Sequence, residues 1–266
     1  MPNHITNRIT IQAEGKQLED ILDAIKNDEI GRGSIDFNKL KPMPKSLEIE
    51  SGTKTDRAIS IYLTALNPKK PDMGCGKISL DELKALEQGL SRGKPYTSYK
   101  GNLTQEQIKE YTQYTSLSDY LSLGKTAVDN FLQHGAITWY EWCRQNWGTK
   151  WNAYGYDYID FHPSKNVLQF NTAWANVPEI LQLLSEKFPN VEFKYEFADE
   201  DIGVNAGRLG FLNGEVEYED IPDNHSKEAF DMAFDIMGCS PEDYELAYSE
   251  ESGTYEYQPE PEMGMN

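Results

Sequence analysis

The stretch Val191-Glu192-Phe193-Lys194-Tyr195-Glu196-Phe197 alternates apolar and charged side chains without interruption. Period-two alternation marks a strand with one buried and one wet face, so a half-covered sheet is expected. Its neighbours in sequence decide which kind. Just upstream, Val177-Pro178-Glu179 opens a helix with proline at its first position, Ile180, Leu183 and Leu184 form an apolar stripe, and Pro189-Asn190 closes it. Just downstream, Arg208 to Leu212 and Glu215 to Glu219 flank Asn213-Gly214, the preferred pair for a type I′ turn, and predict a hairpin. Further upstream, Tyr156 to Phe161 and Val167 to Thr172 flank the connection His162-Pro163-Ser164-Lys165-Asn166 and predict another.

The N-terminal segment repeats the theme. Ile5 to Ile11 has β character and runs into Lys16 to Asn27, where Leu18, Ile21, Leu22 and Ile25 recur at helical spacing. Ser34 to Leu40 alternates again and stops at Pro42 and Pro44, which predicts a second strand. From about Gly52 to Gly148 the period becomes helical, with Ala58, Ile59, Tyr62, Leu63 and Leu66 on one stripe and Leu80, Leu83, Leu86 and Leu90 on another. All five tryptophans lie between Thr138 and Trp174, and a helix over Thr138 to Asn146 would place Trp139, Trp142 and Cys143 on one side.

The expected architecture is therefore α+β: a ferredoxin-like antiparallel sheet of two split β-α-β halves with helices on one side. Residues 1–50 form the first half, 51–150 a large helical insertion, 151–220 the second half with an added hairpin, and 221–266 an acidic helical extension and flexible tail. In that extension Ser226 to Met237 puts Phe230, Ala233, Phe234 and Met237 on one helical face, with Glu228, Asp231 and Asp235 on the other. Ser240-Pro241-Glu242-Asp243 starts another short helix, and a flexible terminus follows from about Ser249.

The chain has 25 basic and 44 acidic residues, a net charge of −19. The acids are segregated: residues 215–266 hold 16 of them against one base, Lys227. Such a surface attracts cationic partners and opposes phosphate backbones. No apolar run is long enough to span a bilayer, and the first residues lack a secretory signal pattern, so a cytoplasmic location without membrane association is expected. Three scattered cysteines fit reduced thiols, and four scattered histidines offer no paired zinc ligands.

The opening Met1-Pro2-Asn3-His4-Ile5-Thr6-Asn7-Arg8, the segment Phe37 to Pro44, the block Trp142-Cys143 through Asn146-Trp147-Gly148-Thr149-Lys150-Trp151-Asn152-Ala153-Tyr154, and Phe170-Asn171-Thr172-Ala173-Trp174 together resemble the YubB ferredoxin-like family of phage and plasmid proteins. The resemblance touches residues 1–44 and about 138–211. It implies a ferredoxin-like domain and a mobile-element origin in a bacterial host, and it carries no catalytic residue.

No catalytic set, metal site or cofactor is expected. Asp199-Glu200-Asp201 could bind a cation, but a turn is the simpler reading; Gly203, Gly207, Gly210 and Gly214 lack the dinucleotide spacing and read as hairpin and bulge glycines. His134 reads as a helix C-terminal residue and Cys143 as a small buried hydrophobe. Trp147, Lys150, Trp151 and Asn152 form a possible aromatic pocket, weighed against core packing. The leading expectation is a non-enzymatic accessory protein that binds a basic host protein, such as a defence nuclease, through Glu228, Asp231, Asp235, Glu242 and Asp243, by mimicry of nucleic acid. The alternatives are a single-stranded nucleic-acid-binding module using sheet aromatics and, after it, a metal-dependent hydrolase centred on Asp199 to Asp201.

Overall fold

The computed structural model describes residues 3–70, 73–94, 98–156 and 166–258. They divide into two compact units, one of Met1–Pro42 with Cys143–Asn266 and one of Met43–Trp142.

In the first unit a five-stranded antiparallel sheet is built from β1 (His4–Ile11), β2 (Val167–Ala173), β3 (Phe193–Asp199), β4 (Gly207–Leu212) and β5 (Glu215–Asp220), in the order β2-β1-β3-β4-β5. Strands β2 and β3 both run antiparallel to β1, which lies between them, and helix α7 (Pro178–Lys187) links them. That is a split β-α-β unit closed around the N-terminal strand, the ferredoxin-like arrangement of an α+β fold. The Asn213-Gly214 turn joins β4 to β5 with both residues at positive φ, 50° and 79°, as a type I′ turn requires. Helix α1 (Gly15–Ile25) buries Leu18, Ile21, Leu22 and Ile25, as their spacing requires.

The alternation of β1 and β3 sorts their side chains onto two faces. Ile5, Asn7, Ile9 and Ile11 of β1, with Phe193, Tyr195 and Phe197 of β3, are buried together. A buried polar chain runs through this layer. The Tyr195 hydroxyl donates to Asn7 Oδ1 at 2.6 Å and accepts the Val177 N–H at 2.8 Å. Asn7 Nδ2 donates to the Thr172 hydroxyl at 2.9 Å and to the Ile5 carbonyl at 2.8 Å, and Thr172 Oγ1 donates to the Ala175 carbonyl at 2.7 Å. Asn7 thus ties β1 to β2 and β3, and Tyr195 carries the chain on to the entrance of α7.

Four expectations change. Residues 34–40 do not form a strand: Ser34 makes a one-residue bridge to Arg32, and Phe37–Lys39 is a 3-10 turn. The Asp36 carboxylate accepts the Asn38 N–H, and Asn152 Oδ1 accepts that of Phe37, so side chains satisfy backbone groups that a ladder would otherwise use. The alternation there reflects burial of Ile35 and Phe37 inside a loop. Helices also cover both faces of the sheet, not one. The start of α7 meets the Tyr195 face, whereas Asp235 of α8 (Lys227–Met237) pairs with Arg8 on the opposite face. Finally, the chain beyond Ser249 continues as a hairpin of β6 (Leu246–Ser249) and β7 (Thr254–Tyr257), held by Thr254 Oγ1 donating to the His225 carbonyl at 2.7 Å. Tyr255 packs edge-on against Phe230 and Phe234 at 5.5 and 5.3 Å, so an aromatic inside an acidic segment supplies the anchor. The segment expected to begin another helix, after Ser240, is a single 3-10 turn, Pro241–Tyr244. The first strand of the hairpin expected before Val167 lies mostly outside the described residues; beside it, Tyr154 forms an antiparallel bridge with Asn171.

The second unit contains α2 (Thr53–Leu66), α3 (Leu80–Ser91), α4 (Gln105–Tyr111) and α5 (Leu117–His134), and α6 (Trp139–Asn146) leads out of it. Capping boxes start α3 at Ser79/Glu82 and α4 at Thr104/Gln107. His134 ends α5 before Gly135 in the left-handed region. Helices α2 and α5 pack closely because Gly124 carries no Cβ: one built there would lie inside the contact distance of the Ala58 carbonyl.

Two substitutions test these contacts by chemical denaturation. Gly124→Ala would raise helix propensity by roughly 1 kcal/mol. The clash is with backbone that cannot rotate away, so a net loss of about 1–3 kcal/mol is expected. Tyr195→Phe strands the Val177 N–H and Asn7 Oδ1 and should cost about 1–3 kcal/mol, with the denaturant slope unchanged.

Candidate functional site

The tryptophan-rich block resolves into separate roles. Trp147 is buried, donates Nε1–H to the Lys41 carbonyl at 2.9 Å and meets Phe37 edge-on at 5.8 Å. Asn152 donates to Asp36 Oδ1 at 2.6 Å and accepts the Phe37 N–H, which makes it a loop brace. Lys150 is held by rings: its ammonium lies 4.3 Å from the Trp151 centroid and 4.7 Å from that of Trp174. Trp174 is 44% exposed and sits at a φ of 72°, uncommon for a side chain of that size. Nearby, His4 Nδ1 and the Tyr154 hydroxyl share a hydrogen bond of 2.6 Å. Of the four residues expected to form a pocket, Trp147 is buried in the core, Asn152 is half-buried and braces a loop, and the Lys150 ammonium lies close to the Trp151 and Trp174 indoles.

Other chemically suggestive groups have structural partners. Asp199 Oδ1 accepts the Asp201 N–H at 2.9 Å and the Asn3 amide at 3.3 Å, the geometry of a turn. Among the described residues, no group of three or more His, Cys, Asp or Glu side chains is placed to hold a metal ion. Burial pushes the Cys143 thiol up to about 12, well away from thiolate chemistry near neutrality. In the helical unit the Lys94 ammonium donates to the Tyr99 hydroxyl at 2.9 Å, and that hydroxyl in turn donates to Asp56. Burial pushes the Tyr99 phenol above its usual range, and Asp56 adds to it. Burial alone would lower Lys94, but Tyr99, Asp56 and Glu141 together more than offset this and hold it above the lysine range. Neither group titrates near neutrality.

The acidic extension divides more sharply. On the sheet face beneath α8, Arg8, Glu196 and Arg208 lie directly opposite one another on β1, β3 and β4. Arg8 Nε donates to Glu196 at 2.6 Å and Arg208 Nε to its other oxygen at 2.9 Å. Both arginines also reach Asp235 of α8, Arg8 closely and Arg208 at 3.4 Å. Asp231 pairs with Lys227 and accepts the Tyr255 hydroxyl at 2.8 Å. Asp243 accepts the Ser240 N–H at 2.8 Å within its turn. Of the five acids expected to face a partner, three are thus engaged internally, whereas Glu228 and Glu242 are exposed and have no ion pair among the described residues.

The uncompensated acids lie instead on β5. All six of its residues, Glu215-Val216-Glu217-Tyr218-Glu219-Asp220, are exposed, four are acidic, and no ion pair reaches them among the described residues. Tyr218 lies across Gly210, whose missing Cβ makes room for the ring. A strand whose acids occupy both alternating faces has no face to bury, and that pattern in the sequence marks it as an edge. The expected row on α8 and the observed row on β5 come from the same acidic segment, but only the second is free of ion pairs among the described residues.

The Asp235 clamp makes a pH prediction. The hydrogen bond from Arg8 holds the Asp235 carboxyl below the usual aspartate range. A folded pKa below the unfolded value of about 3.9 stabilises the fold above that pH and is lost as pH falls through the folded value. Asp235→Asn should therefore lower stability at neutral pH and flatten its decline below about pH 4, with a small amplitude because the Asp235 side chain is 57% exposed. Denaturant midpoints of both proteins across that range measure it.

Among the described residues, no helix is long and apolar enough to cross a membrane. No curated protein matches the chain. A crystal structure of a protein api92 from Yersinia pseudotuberculosis aligns with 11% sequence identity and a TM-score of 0.36, covering 84% of this chain and 99% of that one. Residues 146–240 match the family model of the ferredoxin-like domain in Api92-like protein, and it is to that domain that this part of the chain is similar.

Proposed function

We propose that this chain is a non-enzymatic binding protein that engages a basic surface of a partner protein through the acids of β5 and the adjoining C-terminal region. The observation that carries this reading is the exposed run Glu215 to Asp220, presented along a strand without ion pairs among the described residues, while Arg8 and Arg208 pair with Asp235 and Lys227 with Asp231 of α8. Carboxylates fixed along a strand attract a cationic groove at long range and steer its approach. The resemblance to the YubB family of phage and plasmid proteins supports a mobile-element origin. In that setting the partner is a host protein whose basic channel serves nucleic acid, a defence nuclease among them, and the protein acts as its inhibitor in the cytoplasm of the bacterial host.

A second reading, single-stranded nucleic-acid binding, draws on the exposed Trp174 and the Lys150 ammonium between two indoles. Against it, the arginines of the sheet face beneath α8 are paired with Glu196 and Asp235.

The combined variant Glu215→Gln, Glu217→Gln, Glu219→Gln and Asp220→Asn separates the two. For a partner captured from host lysate by the unaltered chain, association at low salt should slow by roughly tenfold or more in the variant. Added salt should reproduce most of that loss. Association indifferent to both changes, or capture of nucleic acid with quenched tryptophan emission, would overturn the leading reading.

A further inference from the structure

The outer edge of β5 adds a backbone feature to the acidic charge. Strand β5 ends the sheet order, its inner edge pairs with β4, and among the described residues nothing pairs with its outer edge. Six extended residues present about 20 Å of backbone whose outward N–H and C=O groups can template another strand. We propose that this edge accepts an extended, lysine- or arginine-rich segment of a partner protein as a sixth strand. The proposal deepens the acidic-surface reading and rests on it.

The side chains decide which strand fits. Pairing of β5 with a second copy of itself, antiparallel and centred, would set Glu215 opposite Asp220 twice, and directly opposed like charges destabilise a ladder. The same carboxylates favour a cationic strand, so the charge that bars self-association selects the guest. Recognition is available on both faces. The register with β4 places Tyr218 and Asp220 with Gly210 and Arg208 on the α8 side, and Val216 and Glu219 with Phe211 and Leu209 on the other, with the irregularity at Glu217 between them. An incoming lysine or arginine can lay its aliphatic stem along Val216 or the Tyr218 ring, 50% and 40% exposed, while its head reaches a neighbouring carboxylate. Main-chain hydrogen bonds would hold the segment and the alternating carboxylates would choose it.

The test uses the full-length protein, isotopically labelled for amide NMR. It is titrated at low salt with three short peptides: alternating lysine and valine, the same peptide N-methylated at alternate backbone nitrogens, and alternating glutamate and valine. The expected result is shifts concentrated on residues 215–220 with the lysine peptide, no binding of the glutamate peptide, and affinity weakened roughly tenfold or more by N-methylation, which removes backbone donors but keeps every charge. Glu219→Lys, checked for an unchanged spectrum elsewhere, should weaken the lysine peptide as well. Equal affinity for the N-methylated peptide, or shifts away from β5, would overturn strand addition and leave the acidic-surface reading standing. No binding of the lysine peptide at low salt would overturn both.

Discussion

The carboxamide of Asn7, fully buried at the centre of the sheet, fixes the relation of the elements around it. Its oxygen takes the Tyr195 hydroxyl and its nitrogen serves Thr172 and the Ile5 carbonyl, while Tyr195 spends its remaining capacity on the first free N–H before α7. A polar group in that position is costly unless every bond is made. Because a strand exchanges its faces with each one-residue shift, a slip of β1 would turn Asn7 out and bring Thr6 or Arg8 inward, leaving Tyr195 and Thr172 unmatched. The register of three strands and the placement of α7 are therefore one choice.

The opposite face is organised by charge. Arg8, Glu196 and Arg208 form a row across three strands, and Asp235 sits over the two arginines, so α8 is positioned by ion pairs as well as by Phe230, Ala233 and Phe234 against Ala198 and Ile202. The individual bridges are partly exposed and each contributes little, but a network sharing two carboxylates is more selective than its separate pairs. With Asp231 and Asp235 of α8 paired in this way, much of the remaining negative charge lies at the sheet edge, where the acids of β5 make no ion pair among the described residues.

Much of this was legible locally. The alternation of residues 191–197, the proline opening α7, the Asn213-Gly214 turn and the apolar stripe of α8 each describe a short stretch whose neighbours in space are also neighbours in sequence or a single layer away. The misreadings share a different cause. Residues 34–40 have strand-like alternation, but their backbone groups are met by Asp36 and by Asn152, the latter more than a hundred positions away. The helix on the second face follows from Arg8 meeting Asp235, 227 positions apart, which no window of sequence contains. The C-terminal hairpin is hidden by composition, since its acids and its Gly253 resemble a tail until Tyr255 is seen against two phenylalanines. At the candidate surface the charge was evident, but which acids are neutralised depends on such distant pairings.

The position of β1 in the sheet has a consequence for how the protein is made. It precedes the other described strands in the chain, yet it lies between β2 and β3, where Asn7 meets Phe170, its ladder partner 163 positions later, and the hydroxyl of Tyr195, 188 positions later. At about 5–20 residues per second, the central strand waits on the order of 10–40 s for its neighbours. During that interval both of its edges and its row of isoleucines are open, while α2 to α5 can begin to pair from contacts closer in sequence. The buried Asn7 bears on this interval as well. A polar group in the middle of an isoleucine row makes the unpaired strand a poorer template for indiscriminate β association than an all-apolar one would be.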